Sequence, residues 1–425
     1  MKEQMIANET QGEASRYAWA VLALLTLVYL LNFLDRMLIY ILFTPIKKEM
    51  HFTDVELALL SSTSFVIFYT VLGIPFGKLA DKIERKKMIA FGLAAWSFFS
   101  GMTGFAADFW SIFACRVMVG VGEATLGPAA LSLLSDFFPK EIRATAQGIY
   151  SSAIAIGSGL AFLLGGWIAD TMGWRYAFYF LGFPGAIIAF LVILIREPKR
   201  GENEKPTESI QESRLIELLK TKMLWLHHLG YSVFNVASAS VGAWLTIYFV
   251  RVHKLSVSEV GLWFGLAMMT GGLAGMVVGG ILADRFRKQH LGGRMLLASI
   301  SAIASSLLWA LMLFGNEVKV LLVLNIALQA FSLSWLGPSF ADLNDLVEPK
   351  QRGLAVGVYF FLVNVFGYGI APLLIGWIND AMQITLNPEA MRTSLMICPI
   401  ACVIASGILW FGSREMNVKY EGVNR

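Results

Sequence analysis

Apolar runs of about 20 residues recur from Tyr17 almost to the C-terminus of this chain, and each is long enough to cross a bilayer as a helix. In hydrocarbon every backbone polar group must be satisfied internally, so long continuous apolar runs can span only as helices. Only 15% of the residues are charged, against roughly a quarter in soluble domains. The chain therefore reads as an all-α, multi-pass membrane protein. Twelve spans are expected, at about 17–43, 56–79, 88–107, 109–135, 144–169, 174–195, 222–250, 259–283, 293–315, 318–343, 353–379 and 391–412.

Loop charge sets the orientation. With the N-terminus inside, 25 of the 34 Lys and Arg fall in inner segments and 7 in outer loops, the asymmetry of a protein with both termini cytoplasmic. The expected location is the cell (inner) membrane. Net charge +4 is no nucleic-acid signal, because the basic residues sit in short loops between spans. Met1 to Ser15 lacks the basic and apolar regions of a cleaved signal peptide, so the first span should direct insertion. Cys115, Cys398 and Cys402 lie in apolar runs without metal or disulfide-framework spacing and read as small core residues.

The halves repeat. The longest connection, Arg196 to Thr221, carries Pro198 and Pro206 and divides an N-terminal bundle, 1–195, from a C-terminal one, 222–425. Its end, Glu212 to Lys222, is amphipathic, which suits either a helix on the inner membrane surface or an ordinary linker helix. Gly77-Lys-Leu-Ala-Asp81 ends span 2 and Gly280-Ile-Leu-Ala-Asp284 ends span 8. At a constant offset of 210, Leu126-Gly-Pro128 answers Leu336-Gly-Pro338 and Pro139 answers Pro349. Gly157 and Gly159 answer Gly367 and Gly369, and Gly166-Trp-Ile168 with Asp170 answers Gly376-Trp-Ile378 with Asp380. Two six-span halves in parallel repeat are the architecture of alternating-access carriers.

Four charges interrupt the apolar runs: Asp35 and Arg36 in span 1, Arg116 and Glu123 in span 4. Charge at membrane depth is costly and usually marks a pathway; the alternative is a buried ion-pair network that only holds helices together. Arg116 and Glu123 share one helix face, roughly 10 Å apart along the axis. Asp35 and Arg116 fall at one depth and could meet, with Glu123 about two turns deeper. Asp35 and Glu123 are the candidate proton carriers, and Arg36 and Arg116 the candidate head-group ligands or charge relays. The second half is neutral at this depth. Its candidate cavity residues are Asn235, Ser238 and Trp244 in span 7, Gln329 and Trp335 in span 10, and Tyr359, Phe360 and Asn364 in span 11. A charged half facing an aromatic, neutral one suits an amphiphile, although ordinary packing explains any single aromatic equally well.

On the inner side, Gly77, Asp81, Arg85 and Lys86 form a candidate cytoplasmic gate, with Asp81 placed to pair across the seam between the halves; a topology-setting basic loop is the alternative. Gly271, Gly275 and Gly279, at spacing four, should allow close helix approach. The histidines, His51, His227, His228, His253 and His290, sit at span ends or in loops without a metal-binding cluster. No nucleophile–base constellation or phosphate loop appears, so an enzyme is disfavoured.

Gly77 to Lys87 resembles the loop-two signature of the major facilitator superfamily, with Glu84 in place of the usual glycine. Asn32-Phe-Leu-Asp35-Arg36, Arg116-Val-Met-Val-Gly-Val-Gly-Glu123-Ala and Arg196-Glu-Pro-Lys-Arg-Gly201 together look like its spinster branch. The resemblance implies twelve helices in two pseudo-symmetric six-helix bundles. It further implies a proton-linked carrier of sphingosine-phosphate-like lipids or lysophospholipids, with Asp35, Arg36, Arg116 and Glu123 matching the family's ionisable cluster. The organic-anion:proton symporters, which carry hexuronates, use similar motifs in spans 1 and 4. The turn after span 6 and the neutral second half favour spinster. The expected partners are substrate, protons and membrane lipids, with no cofactor beyond the proton gradient and a monomer as the working unit.

Overall fold

The computed structural model describes residues 15–80, 82–198, 220–347, 351–384 and 387–421. Eleven helices among them are long and apolar enough to cross a membrane: Arg16–Ile41 (span 1), Arg85–Phe105 (3), Phe109–Phe137 (4), Thr145–Thr171 (5), Trp174–Ile193 (6), Lys222–Arg251 (7), Val257–Gln289 (8), Gly293–Phe314 (9), Val318–Leu343 (10), Leu354–Ala381 (11) and Pro388–Asn417 (12). Span 2 is a chain of three pieces, Asp54–Ala58, a π-helical turn at Leu59–Thr63, and Ser64–Ala80. The twelve expected helices are thus present. Most of the linker, 199–219, with the amphipathic stretch up to residue 219, lies outside the described residues.

Local chemistry explains the helix starts. Ser15 Oγ accepts from Ala18 N at 3.1 Å, supplying one of the partners that the first turn of span 1 lacks. Asp108 and Ser111 cap span 4 reciprocally, as do Ser256 and Glu259 at span 8. Further π-helical turns interrupt span 7 at Val241–Leu245, span 8 at Met268–Gly272 and span 11 at Val365–Ile370.

The two halves meet most firmly at the ends that loop charge assigns to the outside, here called outer, and the repeated Gly-Trp-Ile-x-Asp motif makes the joint twice. On span 11, Asp380 accepts from Asp54 N at 2.9 Å and Val55 N at 2.8 Å, the first turn of span 2. On span 5, Asp170 accepts from Ser258 N at 2.6 Å, the first turn of span 8. A carboxylate at a helix N-terminus satisfies orphan N–H groups and complements the helix dipole. The motif's glycine permits the approach: a Cβ on Gly166 would lie 2.7 Å from Val257 O, and one on Gly376 2.7 Å from Asp54 O.

An ion cluster seals the same end. Arg251 of span 7 donates to Asp54 Oδ2 at 2.7 Å and Oδ1 at 2.9 Å, Asn379 adds a third bond at 2.9 Å, and Lys47 pairs from beyond span 1. Asp54 precedes the apolar run of span 2. Burial alone would raise its carboxyl, but the Arg251 and Lys47 cations hold it below the usual carboxylate range. A depressed acid supports the paired state above its unpaired value and withdraws that support as pH falls through the depressed one. Acidifying the outer face to and below the ordinary aspartate range, about 4, should therefore loosen the closed outer end. Outer-face labelling across pH measures this, and Asp54→Asn should remove the pH dependence by leaving the end loosened throughout.

At the inner ends the described bonds run within each half. Arg85, buried, donates to Asp136 at 2.6 Å, to Ser132 at 2.9 Å and to Glu197 at 2.9 Å. Lys86 Nζ donates to Ile195 O at 2.8 Å. Arg294 makes the corresponding contacts in the second half, to Asp284 and Asp345, both at 2.9 Å.

Candidate functional site

Spans 1 and 4 bring the four mid-depth charges together, in a pairing that differs from the one expected. Arg36 donates to Glu123 Oε2 twice, from Nη2 at 2.7 Å and Nε at 3.1 Å. Asp35 turns away and accepts from Ser100 Oγ of span 3 at 2.7 Å. Arg116 Nη1 donates to the backbone carbonyl of Asp35 at 3.4 Å. The reason is azimuth: consecutive residues on a helix point about 100° apart, so Asp35 and Arg36 cannot both face span 4. The long guanidinium side chain then covers the depth that separates Arg36 from Glu123.

The Arg36–Glu123 pair is deeply placed, with side-chain exposures of 14% and 0%. The second carboxylate oxygen, Glu123 Oε1, is buried and takes no hydrogen bond among the described residues. Aromatic rings surround the guanidinium: Phe33 lies 4.9 Å and Tyr69 4.8 Å from it, ring centre to cation. Tyr29 stacks on Tyr150 at 4.3 Å and edges Phe33 at 5.1 Å. Desolvated cation–π contacts of this kind are worth about 2 kcal/mol, and they add to the Glu123 ion pair in placing Arg36.

The neutral half holds most of its candidates in packing roles. Asn235 donates to Val363 O at 3.0 Å, fastening span 7 to span 11. Trp244 is fully buried beside Phe43 in the outer seam. Gln329, Trp335 and Tyr359 are buried, and Trp335 stacks on Tyr231 at 5.8 Å. Ser238 donates to Ser332 O at 2.9 Å and accepts from Trp335 at 3.4 Å. Phe360 is 45% exposed and Asn364 half-buried, its amide donating to Phe360 O at 2.7 Å. Of the eight, Ser238, Phe360 and Asn364 keep accessible surface. Buried and cavity-lining aromatics have the same composition, so residue type did not separate them.

The gate residues divide. Asp81 and the surroundings of Gly77 lie outside the described residues. Among the described residues, the partners of Arg85 and Lys86 are Ser132 and Asp136 on span 4 and Ile195 and Glu197 after span 6, all in their own half. Gly271 and Gly275 meet Ile326 and Ala330 of span 10, and Gly279 meets Ser334, as the spacing implied. Two features escaped the sequence reading. One is the outer cluster on Asp54, whose only signal was the repeated Gly-Trp-Ile-x-Asp motif. The other is the adjacent pair His227–His228, which lies inside the helix of span 7 and is buried.

The model of the Major Facilitator Superfamily matches residues 25–335. An MFS-type efflux pump of Mycolicibacterium smegmatis is 29% identical over 399 residues, 93% of this chain and 92% of its own. The sphingosine-1-phosphate transporter SPNS2 of Xenopus tropicalis is 24% identical over 455 residues, 98% of this chain and 88% of its own. The crystal structure of a bacterial homologue of the human lysosomal transporter spinster, inward-facing and unoccupied, matches with a TM-score of 0.82 at 25% identity, covering 96% of this chain and 99% of that one.

Proposed function

The chain belongs to the Major Facilitator Superfamily, as a transporter resembling the spinster branch and not an enzyme, and from that premise we propose that it moves an amphiphilic lipid, of lysophospholipid or sphingosine-phosphate type, by proton-coupled alternating access. The observation that carries the reading is the Arg36–Glu123 pair: a buried carboxylate bonded to an arginine whose guanidinium suits an anionic head group equally well. An anionic head group that takes Arg36 removes the donor bonded to Glu123 and leaves a buried carboxylate at membrane depth without it. Removing one partner of a buried pair costs about 3–5 kcal/mol, and taking up a proton relieves it. Substrate and proton then enter together, and loss of either restores the pair. Asp35, held by Ser100, and Arg116, on the adjoining backbone, stand beside this exchange as the second acid and the second cation. The exposed Phe360 and half-buried Asn364 of span 11 offer the tail a neutral surface. A monomer suffices for this cycle, with both termini cytoplasmic in the cell membrane.

Uptake of labelled lysophospholipid into proteoliposomes under an imposed pH gradient tests the proposal, with spontaneous flipping in protein-free vesicles subtracted. Native protein should accumulate lipid down the proton gradient. Glu123→Gln should fall to the protein-free level under a gradient while still exchanging substrate without one. Full gradient-driven uptake by Glu123→Gln would remove Glu123 from the coupling. The site chemistry also admits a small organic anion on Arg36, so a hexuronate is run in parallel; uptake of the hexuronate and not the lipid would replace the substrate and keep the mechanism.

A further inference from the structure

Asp342 lies near the inner end of span 10 and is fully buried. The transport reading above does not use it. At the repeat offset of 210 its counterpart is Ser132, a neutral hydroxyl that accepts from Arg85 at 2.9 Å. The second half thus sets a carboxyl where the first sets an alcohol. The surroundings of that carboxyl are not those of a well-paired carboxylate. Its Oδ1 is buried and takes no hydrogen bond. Its Oδ2 accepts from the Tyr231 hydroxyl of span 7 at 3.3 Å. An ionised carboxylate has about four acceptor sites to fill, and it draws a hydroxyl in to about 2.5–2.7 Å.

A cation stands close by, but it is committed elsewhere. Arg294 Nη1 of span 9 lies 3.8 Å from Asp342 Oδ1, beyond hydrogen-bond reach, and donates to Asp345 Oδ2 at 2.9 Å. The other arm of the guanidinium donates to Asp284 Oδ1, from Nη2 at 2.9 Å and Nε at 3.1 Å. Arg287 of span 8 adds a second bond to Asp345, at 3.3 Å. These ion pairs set two cations, Arg287 and Arg294, against three acids, Asp284, Asp342 and Asp345. The two exposed acids take every close bond, so the unmatched charge falls on the acid farthest from water. A carboxyl in that position neutralises rather than stay ionised, and one proton balances the cluster.

We propose that Asp342 is a proton-binding site of the second half, and that its charge decides whether Arg294 Nη1 holds Asp345 or Asp342. With the proton on, Arg294 stays on the exposed acids, the arrangement described above. With the proton off, a buried carboxylate faces a guanidinium 3.8 Å away, and a short turn of Nη1 from Asp345 to Asp342 pairs it. Asp345 then keeps Arg287. Asp284 and Asp345, with 66% and 39% of their side chains exposed at the inner end, give the proton its route to the inner solution. Groups from every neighbouring span surround the site. Span 7 supplies Tyr231 with His227 beside its ring at 4.8 Å, span 8 Asp284 and Arg287, span 9 Arg294, and span 10 itself Asp345. Span 11 supplies Tyr359, whose ring lies 6.3 Å from that of Tyr231. The step is carboxylate to carboxylic acid and back, with the proton as its one reactant. The site stands apart from Glu123 and does not depend on the role proposed there.

The test is infrared difference spectroscopy of the full chain in lipid bilayers, titrated between pH 5 and 9. Carbon-13 at the aspartate carboxyl separates aspartate bands from those of Glu123, and an Asp35→Asn background removes the other buried mid-span aspartate. The expected result is a protonated-carboxyl band that moves with the label, survives in the Asp35→Asn background, fades as pH rises and is lost when Asp342→Asn is added. Tyr231→Phe, which removes the hydroxyl bonded to Oδ2, should shift the frequency of the same band. This second variant decides the assignment even if Asp342→Asn fails to fold. No aspartate band at any pH in the Asp35→Asn background, a band that persists in Asp342→Asn, or a band unmoved by Tyr231→Phe overturns the proposal.

Discussion

Gly376→Val is expected to stop transport while leaving the protein folded. A Cβ at this position would stand 2.7 Å from Asp54 O and 3.0 Å from Asp54 C, both backbone atoms that cannot swing aside. The added side chain therefore pushes span 11 off the first turn of span 2, drawing Asp380 from the two N–H groups it caps and Asn379 from Asp54. Overpacking of this kind costs about 1–3 kcal/mol. It falls on the outward-closed form alone, so the ratio of closed to open should drop about 5- to 150-fold. Gly166→Val should act alike at the other joint, against Val257 O. Spin labels at Trp110 and Phe314, both exposed at the outer ends, should move apart in either variant. Gly407→Ala, on span 12, meets nothing within 4 Å and serves as the silent control. Unchanged label distances in Gly376→Val would show that the close approach does not govern the outer end.

Arg85→Ala is expected to cost about 3–5 kcal/mol of stability, the range for leaving buried charges without their partner. Three ties are lost at once, to Asp136, Ser132 and Glu197, the last of which also caps span 3 by accepting from Arg85 N at 3.0 Å. Arg85→Lys keeps the charge but not the forked geometry that reaches two carboxylates, so it should fall between native and alanine. Thermal unfolding in detergent measures the series. A purely gating role predicts the reverse pattern: native melting with altered transport.

The sequence made the architecture legible because membrane helices obey few rules. Run length set the spans, loop charge set the orientation, and the offset repeat set the halves. The same repeat contained the outer joint in plain form, Gly-Trp-Ile-x-Asp written twice, but a motif says that two places are alike without saying what they touch. Around the charged site, depth was readable and azimuth was not. Position along spans 1 and 4 put Asp35 level with Arg116, yet the 100° between neighbours gave Asp35 to Ser100 and Arg36 to Glu123. Trp244 and Tyr359 show the corresponding limit in the second half, since an aromatic ring in a seam and one in a cavity look identical in composition. His227 and His228 were discounted because they stand near a span end, where solvated histidines are common; only the packing of spans 10 and 11 against them removes the water.

The π-helical turns bear on how the seam moves. Spans 2, 5, 8 and 11 form two of the contact lines between the halves. Spans 2, 8 and 11 each contain a π-helical turn, and such turns are where helices bend. Span 5 has none and runs as one unbroken helix of 32 residues from Lys140 to Thr171. One contact line, 5 against 8, therefore sets a stiff rail against a compliant partner, whereas the other, 2 against 11, joins two compliant members. Two levers built to the same plan but with different stiffness do not yield together. The 2–11 line should give first and the 5–8 line should act as the pivot, so that a cycle usually described as symmetric rocking would proceed as a peel from one side.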